Sequence, residues 1–99
     1  GLPPATLIDG LIDVLNGKSF DNMRKYVQDI VLEGYSAEYV LSALMAKIID
    51  LDDISDEAKA IIAVKVAESD RNLIDGSDET LQLLAVCSTA LEQFKKKKI

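Results

Sequence analysis

Apolar residues recur along the chain at spacings of three and four, and the breaks between runs carry the residues that start and stop helices. Pro4 suits a first helical turn; Leu7, Ile8, Leu11, Ile12 and Leu15 then form one stripe before Gly17 ends the segment. Ser19 is placed to cap a second helix, in which Phe20, Met23, Val27, Ile30 and Val31 share a face up to Gly34. Ser36 caps a third, with Glu38 in the favourable first turn and Val40, Leu41, Leu44, Ile48 and Leu51 in line. Ser55, followed by Asp56 and Glu57, starts a fourth. That helix carries Ile62, Val66 and Leu73 on one side and the small Ala60, Ala63 and Ala67 on another, so neighbours can approach it from two directions.

The fifth segment opens with an acidic glycine turn, Asp75-Gly76-Ser77-Asp78-Glu79. Gly76 closes the preceding helix in a left-handed conformation, Ser77 caps the next, and the two acids sit at its positive dipole end. Leu81, Leu84, Ser88 and Leu91 form one face, while Leu83, Val86, Cys87, Ala90 and Phe94 cover much of the rest. A helix apolar nearly all round is enclosed by its own domain or completed by a partner. Five helices leave little material to enclose one of them, so the pattern predicts a partner surface. Leu84 and Leu91 are expected in the core and Leu83 on the exposed side, flanked by Gln82 and Val86. The fold expected is all-α, a compact five-helix bundle forming a single domain over residues 1–99.

At 99 residues, 48% hydrophobic and 28% charged, the chain has the profile of one compact domain with a modest core. No apolar run reaches the roughly 18 to 20 residues needed to cross a bilayer, so no membrane partner is expected. The single cysteine, Cys87, cannot form an internal disulfide, which fits a reducing compartment. Gly1-Leu2-Pro3-Pro4 opens the chain without an initiator methionine, as expected of a piece of something longer. The net charge is −6, but four of the eleven basic residues are Lys95 to Lys98; residues 1–94 carry seven bases against seventeen acids, a net of −10. Such a body repels nucleic acid. The basic tail, residues 95–99, is expected to be a solvated end that complements the helix dipole, with weak contact to phosphate or an acidic partner as the alternative.

Candidate chemistry is sparse. With no histidine there is no imidazole base or ligand, and Cys87 lies in an apolar helix with no basic residue at helical spacing to lower its pKa. The stretch from Asp50 to Asp56 resembles a calcium loop only in acidity: Ser55 stands where the turn needs glycine, and Ile61 where it needs the bidentate glutamate. No glycine-rich phosphate loop precedes a lysine, and no serine sits in the Asp-Ser-Leu context of an acyl carrier protein. Catalytic, cofactor-binding and metal-binding residues are therefore all expected to be absent.

The order of the segments points further. Ser19-Phe20-Asp21, Val31-Leu32-Glu33-Gly34-Tyr35-Ser36, Ile54-Ser55-Asp56-Glu57-Ala58-Lys59 and Asn72 through Glu79 with Leu81-Gln82-Leu83 resemble the carboxy-terminal domain of a small subunit of replication factor C, the eukaryotic sliding-clamp loader, most of all its fourth subunit. The resemblance covers about residues 5 to 94 and is most specific across 73 to 83. It implies a collar: a five-helix domain that follows an AAA+ ATPase module and packs beside its counterparts in the other subunits to hold a heteropentamer. It further implies that ATP and magnesium belong to the ATPase module, that the sliding clamp and primer-template DNA are met through the rest of the complex, and that the protein is nuclear. On this reading the fragment is not an enzyme, helix five is outermost, and Glu79, Gln82, Leu83 and Val86 are candidates for the subunit interface.

A free-standing acidic helical adaptor of the death-fold kind is the other class that the composition allows. Either way no segment offers consecutive backbone donors backed by a lysine, so the chain should not bind ATP. Calorimetric titration with magnesium-ATP should give no saturable heat; micromolar binding would contradict the reading.

Overall fold

A computed structural model describes residues 4–97, which form five helices and no strand: α1 (Pro4–Gly17), α2 (Phe20–Leu32), α3 (Ala37–Ile49), α4 (Asp56–Ile74) and α5 (Glu79–Phe94). The extents are 36 × 27 × 22 Å, and the shortest leaves room for about two helix diameters. The opening Gly1-Leu2-Pro3 and the tail residues Lys98 and Ile99 lie outside the described residues.

The sequence marks three of the helix starts correctly. Ser19, Ser36 and Ser55 hold extended backbone, and their hydroxyls accept from Asn22, Tyr39 and Ala58 N–H at 3.2, 3.2 and 3.1 Å. The start of α5 differs from expectation. Gly76, at φ +93°, does close α4, but the Ser77 N–H is drawn into the same closure, donating to the Asn72 carbonyl at 3.0 Å while Gly76 N–H donates to Leu73 at 3.1 Å. The cap then falls to Asp78, whose carboxylate accepts from Leu81 N–H at 2.9 Å. At the end of α1 the left-handed residue is Lys18 (φ 64°), not Gly17. A lysine there costs roughly 1–2 kcal/mol, tolerated because Lys18 N–H reaches the Leu15 carbonyl at 3.1 Å.

Leu11, Leu15, Met23, Val27, Leu41, Leu44, Ile48 and Ile62 are sealed from solvent, as their periodicity predicts. Phe20 is the exception on α2: as the first residue of the helix it projects beyond the neighbouring elements and is half exposed. Gly10 has a specific task. Tyr26 crosses α1 there and donates its phenol to the Leu7 carbonyl at 2.8 Å; a methyl group on Gly10 would overlap the hydroxyl and come within 2.9 Å of Cζ. Burial pushes the Tyr26 phenol above its ordinary pKa, and the carboxylates of Asp13 and Asp29 add to the rise. On α4, Ser69 is buried with its hydroxyl unpaired, a cost of about 1–3 kcal/mol.

The basic tail is not simply solvated. Lys97, with 9% of its side chain exposed, forms an ion pair with Asp53 at 3.0 Å, donates to Asn16, and holds its ammonium 4.3 Å from the centre of the Phe94 ring. The end of α5 is thereby fastened to the end of α1 and to the α3–α4 loop. Lys95 follows expectation more closely, pairing along its own helix with Glu92 at 3.2 Å. The hydrogen bond from Lys97 holds the Asp53 carboxyl below its ordinary value of 3.8. A lowered folded pKa contributes stability that is complete above the unfolded value and is lost as pH falls through the folded one. Lys97→Ala should lower the thermal midpoint at neutral pH by roughly 3–6 °C, chiefly through the ring contact and lost packing. The gap between variant and parent should narrow below about pH 3.8, which thermal melts across an acid series would check.

Candidate interaction surface

Helix α5 packs against each of the other four helices, so the bundle does enclose it. Seven of its residues are buried: Leu83, Val86, Cys87, Ala90, Leu91, Gln93 and Phe94. This reverses the expected faces. Leu83 and Val86, expected at the exposed side, have no exposed surface at all, while Leu81, expected in the core row, is 63% exposed. Leu91 is buried and Leu84 partly so, as expected. The physical reason is that neighbours approach α5 from several sides, leaving Leu81 and Glu92 exposed and Gln82, Leu84, Ala85, Ser88 and Thr89 half-buried. Glu79 is exposed, yet its carboxylate accepts from the first N–H of α3, at Ala37, at 2.6 Å and so joins the starts of α3 and α5. Gln82 accepts from the Asn72 side chain across the α4–α5 turn at 3.2 Å. Of the four interface candidates, two are thus core residues and two brace the fold.

The second apolar face belongs to α4 instead. Ile62 and Val66 of that helix are buried and Leu73 partly so, whereas Ala60, Ala63, Val64, Ala67 and Ile74 all lie exposed on the opposite side, Val64 at 60% and Ile74 at 86%. These positions recur at three, four and seven residues, giving a stripe roughly 21 Å long at 1.5 Å per residue. Arg71 is exposed within it, and Asp56, Glu57, Glu68 and Asp70 flank it. Glu68 is paired to Lys65 at 3.4 Å. Small residues along the middle permit another helix to approach closely, and the larger Val64 and Ile74 supply apolar area to bury. Ala60, Ala63 and Ala67, the small side of α4 in the sequence pattern, are thus its exposed side.

Among the described residues no three His, Cys, Asp or Glu side chains converge to hold a metal ion, and no helix is long and apolar enough to cross a membrane. Cys87 is wholly buried, and burial pushes its thiol up to about 12, the behaviour of a small core residue.

Known proteins are similar to this sequence. The replication factor C C-terminal domain matches residues 3–89. The chain is 36% identical over 96 residues to replication factor C subunit 4 of Homo sapiens, spanning 97% of this chain and 26% of that protein. It is 37% identical over 91 residues to replication factor C subunit 2 of Oryza sativa subsp. japonica, spanning 92% and 27%. Against replication factor C subunit 4 of Arabidopsis thaliana the figures are 38% over 92 residues, 92% and 27%. The chain therefore spans about a quarter of the length of the curated relatives it matches.

The corrected faces make a direct test. Leu83→Asp places a charge in the core and should unfold the domain, since an unpaired buried carboxylate costs several kcal/mol, on the order of the whole stability. Val64→Asp should leave helicity intact and shift the thermal midpoint by less than about 3 °C. Circular dichroism of the two variants checks both; a folded Leu83→Asp would restore the earlier face assignment.

Proposed function

Because the chain belongs to the replication factor C C-terminal domain family, we propose that it is the collar module of a sliding-clamp-loader small subunit, holding that subunit beside its neighbours in a heteropentamer. The observation that carries this reading is the exposed apolar stripe on α4, Ala60, Ala63, Val64, Ala67 and Ile74. Lone exposed apolar residues are ordinary; a face repeated over four turns of one helix is the kind of surface that a partner covers. The collar is an assembly element and not an enzyme. ATP and magnesium belong to the ATPase module of the full subunit, and the sliding clamp and primed DNA are engaged by the rest of the complex. The acidic body fits that division, because it repels phosphate backbones. The setting is nuclear, where such a complex works. A free-standing adaptor of the death-fold kind has no comparable support.

Assembly tests the reading. The full-length subunit carrying Val64→Asp or Ile74→Asp, co-expressed with its four partner subunits, should lower recovery of the pentamer at least about tenfold, since a desolvated carboxylate at an apolar interface costs well over 1.4 kcal/mol. Phe20→Asp, at the exposed start of α2, should leave recovery unchanged. Normal assembly of both α4 variants would refute the collar reading of this face.

A further inference from the structure

The outer face of α4 carries charge as well as apolar surface, and the charge is ordered along the helix. Asp56 and Glu57 stand at its start, Val64 near its middle and Arg71 towards its end, all exposed and all on the side that bears Ala60 and Ala67. Arg71, Asp56 and Glu57 make no ion pair among the described residues. Glu57 and Arg71 are each seven residues from Val64, about 10.5 Å along the axis in either direction.

A surface acidic at one end, basic at the other and apolar between is complementary to itself when a second copy is laid on it in the opposite direction. A two-fold axis across the helix at Val64 brings Arg71 of each copy to Asp56 and Glu57 of the other, and sets Ala60 against Ala67. That rotation keeps each flank of the helix on its own side, so the second rim is an independent check. Lys59 and Asp70 share the flank opposite Glu57, five residues before and six after Val64, and the same reversal pairs them. Lys59 donates once, to the Ile49 carbonyl at 2.7 Å, and retains two further donors. Asp70 is exposed, with no ion pair among the described residues. The three alanines keep the middle of the face low enough for two helices to close on it, and Val64 meets its own counterpart at the axis. Parallel pairing would instead oppose acid to acid and Arg71 to Arg71.

We propose that α4 pairs antiparallel with α4 of a second copy of this chain about a two-fold axis at Val64, Arg71 of each copy meeting Asp56 and Glu57 of the other. The contact is one helix wide, at the low end of specific interfaces, so its dissociation constant is on the order of 0.1 mM. The inference takes from the collar reading only that this face docks a partner. It is measured without the other subunits, so either can fail alone. Where a neighbouring subunit also seats on this face, the two occupants compete for it.

The test is sedimentation equilibrium of the 99-residue chain at physiological salt, up to about 1 mM. The chain should pass from monomer to dimer and stop there, as a closed two-fold contact requires. Val64→Asp, with its helicity checked by circular dichroism, should stay monomeric throughout. Arg71→Glu opposes acid to acid and should raise the dissociation constant at least about fivefold; Glu57→Arg opposes base to base and should raise it as well. An equimolar mixture of those two variants should associate more tightly than either alone, because in the mixed pair both contacts between positions 57 and 71 again join opposite charges. A chain monomeric at about 1 mM, association that continues past the dimer, a dimer indifferent to Val64→Asp, or a mixture no tighter than its components would each overturn the assignment.

Discussion

A helix is enclosed only when neighbours approach it from most directions, and in this chain the enclosed helix is the last one. Every other helix of the bundle touches α5. That single requirement explains the economy of the rest: α1, α2 and α3 each need only one apolar stripe, because each has one principal surface to bury. It also explains where the fold is braced. The start of α5 is joined to α3 through Glu79 and to α4 through Gln82; its end is joined to α1 and the α3–α4 loop through Lys97. Polar groups at both ends set the axial position of a helix whose sides are nearly all apolar.

The elements themselves were largely legible in the sequence, because local rules govern them. Three serine caps, two glycine closures at Gly34 and Gly76, and the stripes of α1 and α3 follow from short-range chemistry. The local misses are of one kind, in which two neighbouring residues competed for one role. Ser77 lost the cap to Asp78 because its N–H was claimed by the end of α4, and Lys18 took the left-handed position one residue beyond Gly17.

The faces of α5 were not legible, for a different reason. Leu81, Leu83, Leu84 and Val86 are interchangeable as letters, and periodicity distinguishes two faces without saying how many neighbours cover them. Supposing five helices too few to surround one of them led to the wrong side. The lysine tail failed similarly: nothing within Lys95 to Lys98 distinguishes the third lysine from the rest, and its partners Asn16 and Asp53 are distant in sequence. Contacts of that range belong to the tertiary fold and leave no periodic trace.

Moving the second apolar face from α5 to α4 changes the mechanics of any assembly built on it. A partner seated on α5 itself would have competed with the core for the same side chains. A partner seated on the outer stripe of α4 leaves the core untouched, while the inner face of the same helix, through Ile62 and Val66, is packed in the core and along α5. Load applied at the outer face is therefore carried directly to the helix that all the others grip. In a close-packed interior, which deforms little, such a load displaces the bundle as a unit and does not peel one helix away. On α4, the residues that pack the core, Ile62 and Val66, are therefore distinct from the exposed apolar residues Ala60, Ala63, Val64, Ala67 and Ile74, so the outer face can change without disturbing the inner one.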